Sequence, residues 1–321
     1  MVITLNKTIK QHYVPQFYLK NFSNLNKKTY YVNCFDKVTK ENYQSKVSNV
    51  GMGKNFYTYQ EDDFEDYFCE FEFKASKIIN SLVKNKKYKI LNSKENRMIL
   101  SSFLLIQFTR TNEVREILME LEEKIQDFIK DKPESNDISV IKDYFKEDIK
   151  KRHIDIIQDN HDDLKLKFFN RKWVLIENKT NIQFLTSDNP IVRYNNHGSR
   201  GFDSPFLHIF FPLSPKICLC LLDPYNYSDF LKKQKFFGDE VIHNINKAKS
   251  FSIIDENKVN CINNLQIKNS TRHIFSKNGD FEKINYLIKN NLIETGEKRK
   301  RIDTTFYKDS DNDFEIMNLK M

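Results

Sequence analysis

The chain has 321 residues, long enough for one large domain or two small ones around a sizeable core. Its 52 Lys and Arg outweigh 44 Asp and Glu by +8, which permits attraction to nucleic acid, but the signs are interleaved along most of the chain, the run Lys298–Arg301 apart. Seven glycines supply neither G-x-G-x-x-G nor G-x-x-x-x-G-K, and no apolar run approaches the about 20 residues of a membrane span, so nucleotide-loop and membrane-spanning classes are set aside.

The five cysteines, Cys34, Cys69, Cys218, Cys220 and Cys261, are odd in number and scattered. They form neither a disulfide framework nor a zinc spacing, so a reducing, cytoplasmic setting is expected. The opening MVITLNKTIKQH has no apolar stretch of signal-peptide length.

Residues 1–24 read as irregular or extended. In "KQHYVPQFYLKNFSN" (10–24), Pro15 fixes the backbone behind Val14, and Phe17, Tyr18, Leu19 and Phe22 supply anchors. His12 is thereby held in place rather than left on a loose end. "KTYYVNCFDK" (28–37) reads as a strand, and residues 38–60 as a loop carrying Gly51, Gly53 and the aromatics Phe56, Tyr57 and Tyr59.

From Asp62 to about Leu82, Phe64, Phe68, Phe71, Ala75, Ile78 and Leu82 lie on one helix face. Glu72 borders that face, either as a carboxylate partner for a cation or as a residue of the rim. A second helix opens at Ser93, a candidate N-cap, and is expected to run through Arg115 and "EILMELEEKIQDFIKD" until Pro133 breaks it. Ile99, Phe103, Ile106 and Arg110 share one stripe of it, and Gln107 stands beside Arg110. A guanidinium facing the core needs a partner, because an unpaired buried charge is costly. The alternative is that Arg110 reaches out to solvent at the helix end.

Further helices are expected at 137–152 and 153–168. After residue 170 the period changes. "RKWVLIENK", "IQFLTSDNPIVRY" and the two halves of "LHIFFPLSPKICLCLLD" read as strands. In "FLTSDNPIV", Ser187, Asp188 and Asn189 interrupt an apolar strand just before Pro190. They read either as an Asx or Ser turn or as polar groups displayed at a strand end. Ser214 lies between two prolines in "FPLSPK", without the glycines of a nucleophile elbow. A helix at about 239–250, a short strand in "SFSIID" and a last helix near 259–275 complete the pattern.

The fold class expected is α+β: a central helical segment packed on a mixed or antiparallel sheet built from the N-terminal strand and strands after residue 170. Residues 1–293 read as a single domain with a helical insertion at about 61–168, and 294–321 as a charged, mobile tail.

"QHYVPQFYLKNF", "YYVNCFDK", "FEFKAS", "IQFTRTNEVRE", "FLTSDNPIV", "PLSP" and "NNLQIKNSTRHIFS" follow one another across residues 10 to 277. Together they resemble the bacterial domain-of-unknown-function family numbered four-two-three-eight, which carries no established activity. The resemblance implies that His12, Glu72, Gln107, Arg110, Ser187, Asp188, Asn189, Ser214 and Asn264 occupy signature positions. Asn260 and Asn263 compete with Asn264 for its slot.

Three functional readings follow. The first is a hydrolase or nuclease-like enzyme, placed by analogy in anti-phage defence or a toxin role. His12 would be its acid or base, Asp188 would orient His12 or hold one Mg²⁺, and Arg110 would bind an anion. Gln107, Ser187, Asn189, Glu72, Ser214 and Asn264 would help bind the ligand. A single Asp without a second acidic cluster argues against a two-metal site. The second reading is a non-enzymatic module binding a small anionic ligand or nucleic acid. The third is a structural partner protein in which the same polar centre is a buried lock. Nucleic acid or a nucleotide is the partner class of the first two, and no membrane partner is expected.

Overall fold

In the computed structural model of the protein, which describes residues 9–60, 62–131, 148–159, 162–195, 201–223, 250–293, 301, 303–308 and 314–320, the chain enters through a short strand, β1 (Lys10–His12). The Val14 N–H extends that pairing onto the Gly51 carbonyl at 3.0 Å. Gly51 has φ +62°, and a Cβ there would stand 3.0 Å from the Val14 Cβ, so a side chain is excluded twice over. Pro15 then starts a single helical turn, α1 (Gln16–Leu19). Its Tyr18 hydroxyl donates to the Pro212 carbonyl and accepts from Thr186, both at 2.6 Å, while the ring stacks on Phe211. The N-terminal segment is thus bonded into the middle of the molecule.

β2 (Asn24–Asn26), β3 (Thr29–Asp36) and β4 (Glu41–Lys46) form an antiparallel meander. β5 (Met52–Lys54) pairs with β1, with Met52 opposite His12, and β6 (Thr58–Tyr59) pairs with β7 (Asp62–Asp63). The stretch expected as a loop therefore holds short strands.

α2 (Glu65–Val83) follows the spacing of its apolar residues. α3 (Lys94–Thr109) is capped as expected, the Ser93 hydroxyl accepting the Asn96 N–H at 3.3 Å. The single helix expected from 93 to the 130s is two. α3 stops at Arg110, and α4 (Asn112–Asp131) starts afresh. The cause is Tyr57, whose hydroxyl donates to the Arg110 carbonyl at 2.6 Å, an acceptor a continuous helix would use itself.

α5 (Ile149–Gln158) and α6 (Asp162–Phe169) follow; residues 137–147 of the expected helical stretch lie outside the described residues. β8 (Lys172–Asn178), β9 (Thr186–Ser187), β10 (Val192–Tyr194), β11 (His208–Ser214), β12 (Ile217–Leu222) and β13 (Ser250–Ile253) come next. Residues 239–249 of the helix expected at 239–250 lie outside those described, and Ser250 belongs to β13. α7 (Glu256–Asn269) ends earlier than expected, and residues 273–276 are a strand, β14 (His273–Ser276). Ser270, in extended conformation, turns the chain there. α8 (Glu282–Lys289) comes after it, and β15 (Asp303–Lys308) pairs with β16 (Phe314–Lys320) inside the segment expected as a tail.

The fold is α+β, as expected; among the described residues one five-stranded sheet stands beside another that joins the N-terminal strand β3 to strands after residue 170. One runs β10-β11-β12-β8-β13, antiparallel except for the parallel β8–β13 pair. The other runs β2-β3-β14-β9, with β4 on the opposite edge of β3. The first sheet is buried on both faces. Leu175, Leu219 and Phe211 face the core shared with α2, α3 and the N-terminal segment. Val174, Ile176, Cys218 and Cys220 face Val259 and Ile262 of α7. Burial on both sides explains why "ICLCLL" is apolar throughout instead of alternating. Among the described residues, no helix is long and apolar enough to cross a membrane.

Candidate functional site

Ending α3 at Arg110 places its side chain at 0% exposure, a position where a cation must be compensated. The guanidinium donates through Nη1 to Glu72 Oε1 at 2.8 Å, and through Nε and Nη2 to Gln107 Oε1 at 3.2 and 3.0 Å. Its carbon stands 5.0 Å above the Phe68 ring. Gln107 spends its own N–H on the Tyr13 carbonyl at 3.0 Å, which fixes the N-terminal segment against the end of α3. Three stretches far apart in sequence thus meet at one cation.

His12 belongs to this cluster. It is 7% exposed, and its ring Nε2 is buried without a hydrogen-bond partner. Burial first, and the nearby Arg110 charge next, push its pKa down to about 4, against the opposing effect of a hydrogen bond to the Ser48 backbone. At neutral pH the ring is uncharged. Thr111 Oγ1, one residue beyond Arg110, is also buried without a partner. Glu72, at 27% side-chain exposure, is the member of the Arg110 ion pair that reaches solvent.

Asp188 serves a different centre. Its Oδ1 accepts the Thr271 N–H at 2.8 Å, and its Oδ2 accepts the Arg272 and His273 N–H groups, each at 2.7 Å. The carboxylate therefore fixes the turn between α7 and β14. Lys37 holds the same turn from the other side, its ammonium donating to the Ile267 and Ser270 carbonyls. Neither the Arg110 guanidinium nor the His12 ring bonds to Asp188. The imidazole beside Asp188 is His273, with Nδ1 4.0 Å from Asp188 Oδ2 and Nε2 3.7 Å from Asp36 Oδ2. Burial holds the His273 pKa below the usual range against the opposing pull of both carboxylates. Burial works to raise the Asp36 pKa, but two hydrogen bonds from Arg272 lead the effects that hold it down. Tyr13 joins from the N-terminal segment, its phenol pushed up by burial first and by the Asp188 charge next. Thr271 donates its hydroxyl to Glu113 Oε2 at 2.9 Å, tying the turn to α4.

The other candidates take structural positions. The Ser187 hydroxyl donates its one proton to Gln266 Oε1 at 2.8 Å and accepts the Asn189 N–H at 3.2 Å. The Asn189 amide donates to the Asn269 carbonyl at 3.0 Å. Ser214 Oγ accepts the Lys216 and Ile217 N–H groups and closes the β11–β12 turn. Asn264 Oδ1 is buried without a partner, whereas Asn263 accepts the Leu185 N–H and donates to the Gln183 carbonyl.

The structure thus joins His12, Glu72, Gln107 and Arg110 in one cluster and Ser187, Asp188 and Asn189 in another, with Tyr13 between them. Sequence reasoning missed His273, Asp36, Arg272 and Tyr13. The signal for His273 was the alternation in "HIFS" just after Ser270. Among the described residues, no group of three or more His, Cys, Asp and Glu side chains is placed to hold a metal ion.

The family model described as protein of unknown function DUF4238 matches residues 10–280, most of the chain. The chain belongs to DUF4238. The matched span contains every candidate residue from His12 to Asn264 and ends before the charged segment 294–321. No curated protein and no solved structure matches.

Proposed function

We propose that this DUF4238 protein is a hydrolase or nuclease-like enzyme in which His12 acts as the acid–base group and Arg110 attracts an anionic substrate. The single observation supporting this is the buried, unpartnered Nε2 of His12, a ring that the Arg110 charge acts on. A buried polar atom without a partner costs about 1–3 kcal/mol, and a native protein keeps one where it has a use. Glu72 holds the Arg110 guanidinium, and Asp188 bonds to the 271–273 backbone instead of to His12. The uncharged imidazole accepts a proton from water or a hydroxyl. A phosphate ester brought against Arg110 would offset the Arg110 charge, which after burial is the next effect holding the His12 pKa down.

The test compares wild type with His12→Gln, which hydrogen-bonds but cannot titrate near neutral pH. RNA, DNA and phosphate-ester cleavage are measured with and without Mg²⁺, alongside growth on expression and restriction of phage. Loss of effect in a variant that stays folded supports the reading. Activity equal to wild type per folded molecule rejects it.

A structural lock is the second reading. It is favoured by Asp188, whose carboxylate is taken up by three backbone N–H groups of its own chain. On that reading His12→Gln loses function only in proportion to lost folded protein.

A further inference from the structure

An open cavity of about 350 Å³ lies between α7, residues 182–185 and the start of α8, separate from the His12 cluster. Its walls carry amides and carboxylates. Gln183 Oε1 is buried there without a partner. Asn278 uses its oxygen on the Ser276 hydroxyl and the Asp280 N–H, which leaves its amide donors over. Among the described residues the side chains of Asn260 and Glu282 make no hydrogen bond. Asn263 is the exception, since both ends of its amide are committed to the 183–185 backbone. At the rim stands Tyr286, 56% exposed, with the Lys283 ammonium 5.5 Å from its ring centroid.

The charge of this lining selects among ligands. Asp280 and Glu282 outnumber Lys283, so phosphates and carboxylates are disfavoured. Apolar surface makes up the larger part of the lining, so the ligand must present C–H surface as well as polar groups. Uncommitted amide and carboxylate groups facing one space match adjacent hydroxyls, which both donate and accept. An exposed phenol ring at the mouth offers a flat surface to the C–H face of a sugar. We propose that this cavity binds a neutral, polyhydroxylated ligand of about one sugar ring. The site is independent of the acid–base reading of His12.

The full chain is titrated with glucose, galactose, ribose and N-acetylglucosamine at millimolar concentration, followed by saturation-transfer NMR and calorimetry. Glucose 6-phosphate and spermidine serve as the anionic and cationic rivals. At least one neutral sugar is expected to bind. Asn260→Ala and Tyr286→Ala should each weaken it about tenfold, because each removes one contact to the sugar. Both positions are outside the core, and thermal melts confirm that the variants fold. His12→Gln should leave sugar binding unchanged. The proposal is overturned if none of the four sugars binds, if either rival binds in preference, or if binding ignores both cavity substitutions.

Discussion

Arg110 and Glu72 form an ion pair of unequal burial: the guanidinium is at 0% exposure, the carboxylate at 27%, and 2.8 Å separates them. Removing either partner is therefore not equivalent. Glu72→Ala leaves a buried cation without its counter-charge and is expected to cost about 3–5 kcal/mol. Arg110→Met leaves a carboxylate that can turn to water, with Gln107 short of a donor, and should cost about 1–3 kcal/mol. Urea denaturation of both variants gives the order. If Arg110→Met is the more damaging, the asymmetry is not what governs the pair.

Acid should destabilise the protein in a window set by His12. Its folded pKa, about 4, lies below the about 6.5 of an unfolded histidine. The unfolded chain takes up a proton that the native state refuses, so stability is full above about pH 6.5 and declines as pH falls toward 4. Below that both states are protonated and nothing more is lost at this site. His12 accounts for at most about 3 kcal/mol of this loss. His153 and His208, each pushed down to about 3 by burial first and by Arg115 and Arg171 next, act in the same direction. The difference between the urea midpoints at pH 7 and pH 5 should be smaller in His12→Gln than in wild type. Equal shifts in the two proteins would mean that native His12 takes up its proton as the unfolded chain does.

Asp188→Asn replaces one acceptor oxygen with an NH₂ that meets backbone donors. The expected loss is about 2–4 kcal/mol, since hydrogen bonds to a charged acceptor are the stronger kind. Amide exchange of Thr271, Arg272 and His273 should quicken. Unchanged protection of all three would remove Asp188 from its role in the turn.

Ser214→Ala should be mild. The hydroxyl serves only two N–H groups of its own turn, at 3.3 and 3.1 Å, and their loss should cost about 1 kcal/mol. Any activity found for the protein should survive. Abolished activity in a stable variant would give Ser214 a chemical role its geometry does not suggest.

What the sequence made legible was mainly local. The stripe through Ile99, Phe103 and Ile106 marked Arg110 as a core-facing cation, and Glu72 stood at the edge of the neighbouring face. The break after α3 was hidden because its cause, Tyr57, acts from 53 residues away. Asp188 read either as a turn residue or as a partner for His12, and its actual partners were hidden because the three donors follow 83 to 85 positions later. One choice was available and was missed. α7 buries Val259, Ile262, Asn263 and Gln266, so helical spacing favours Asn263 over Asn264 for the inward position. His273 went unseen because a helix was carried through Ser270 to residue 275.

The position of β14 has a consequence for how the chain is made. It fills one edge of β3 beyond β2, and 236 residues separate Asp36 from Arg272 at that seam. A ribosome therefore releases β3 long before the strand that closes it exists. Until then Asn33 to Asp36 present bare N–H and C=O groups along an edge that any other extended segment can join. A product cut short before His273 keeps that edge open permanently, and such fragments should accumulate as aggregates instead of as smaller folded proteins.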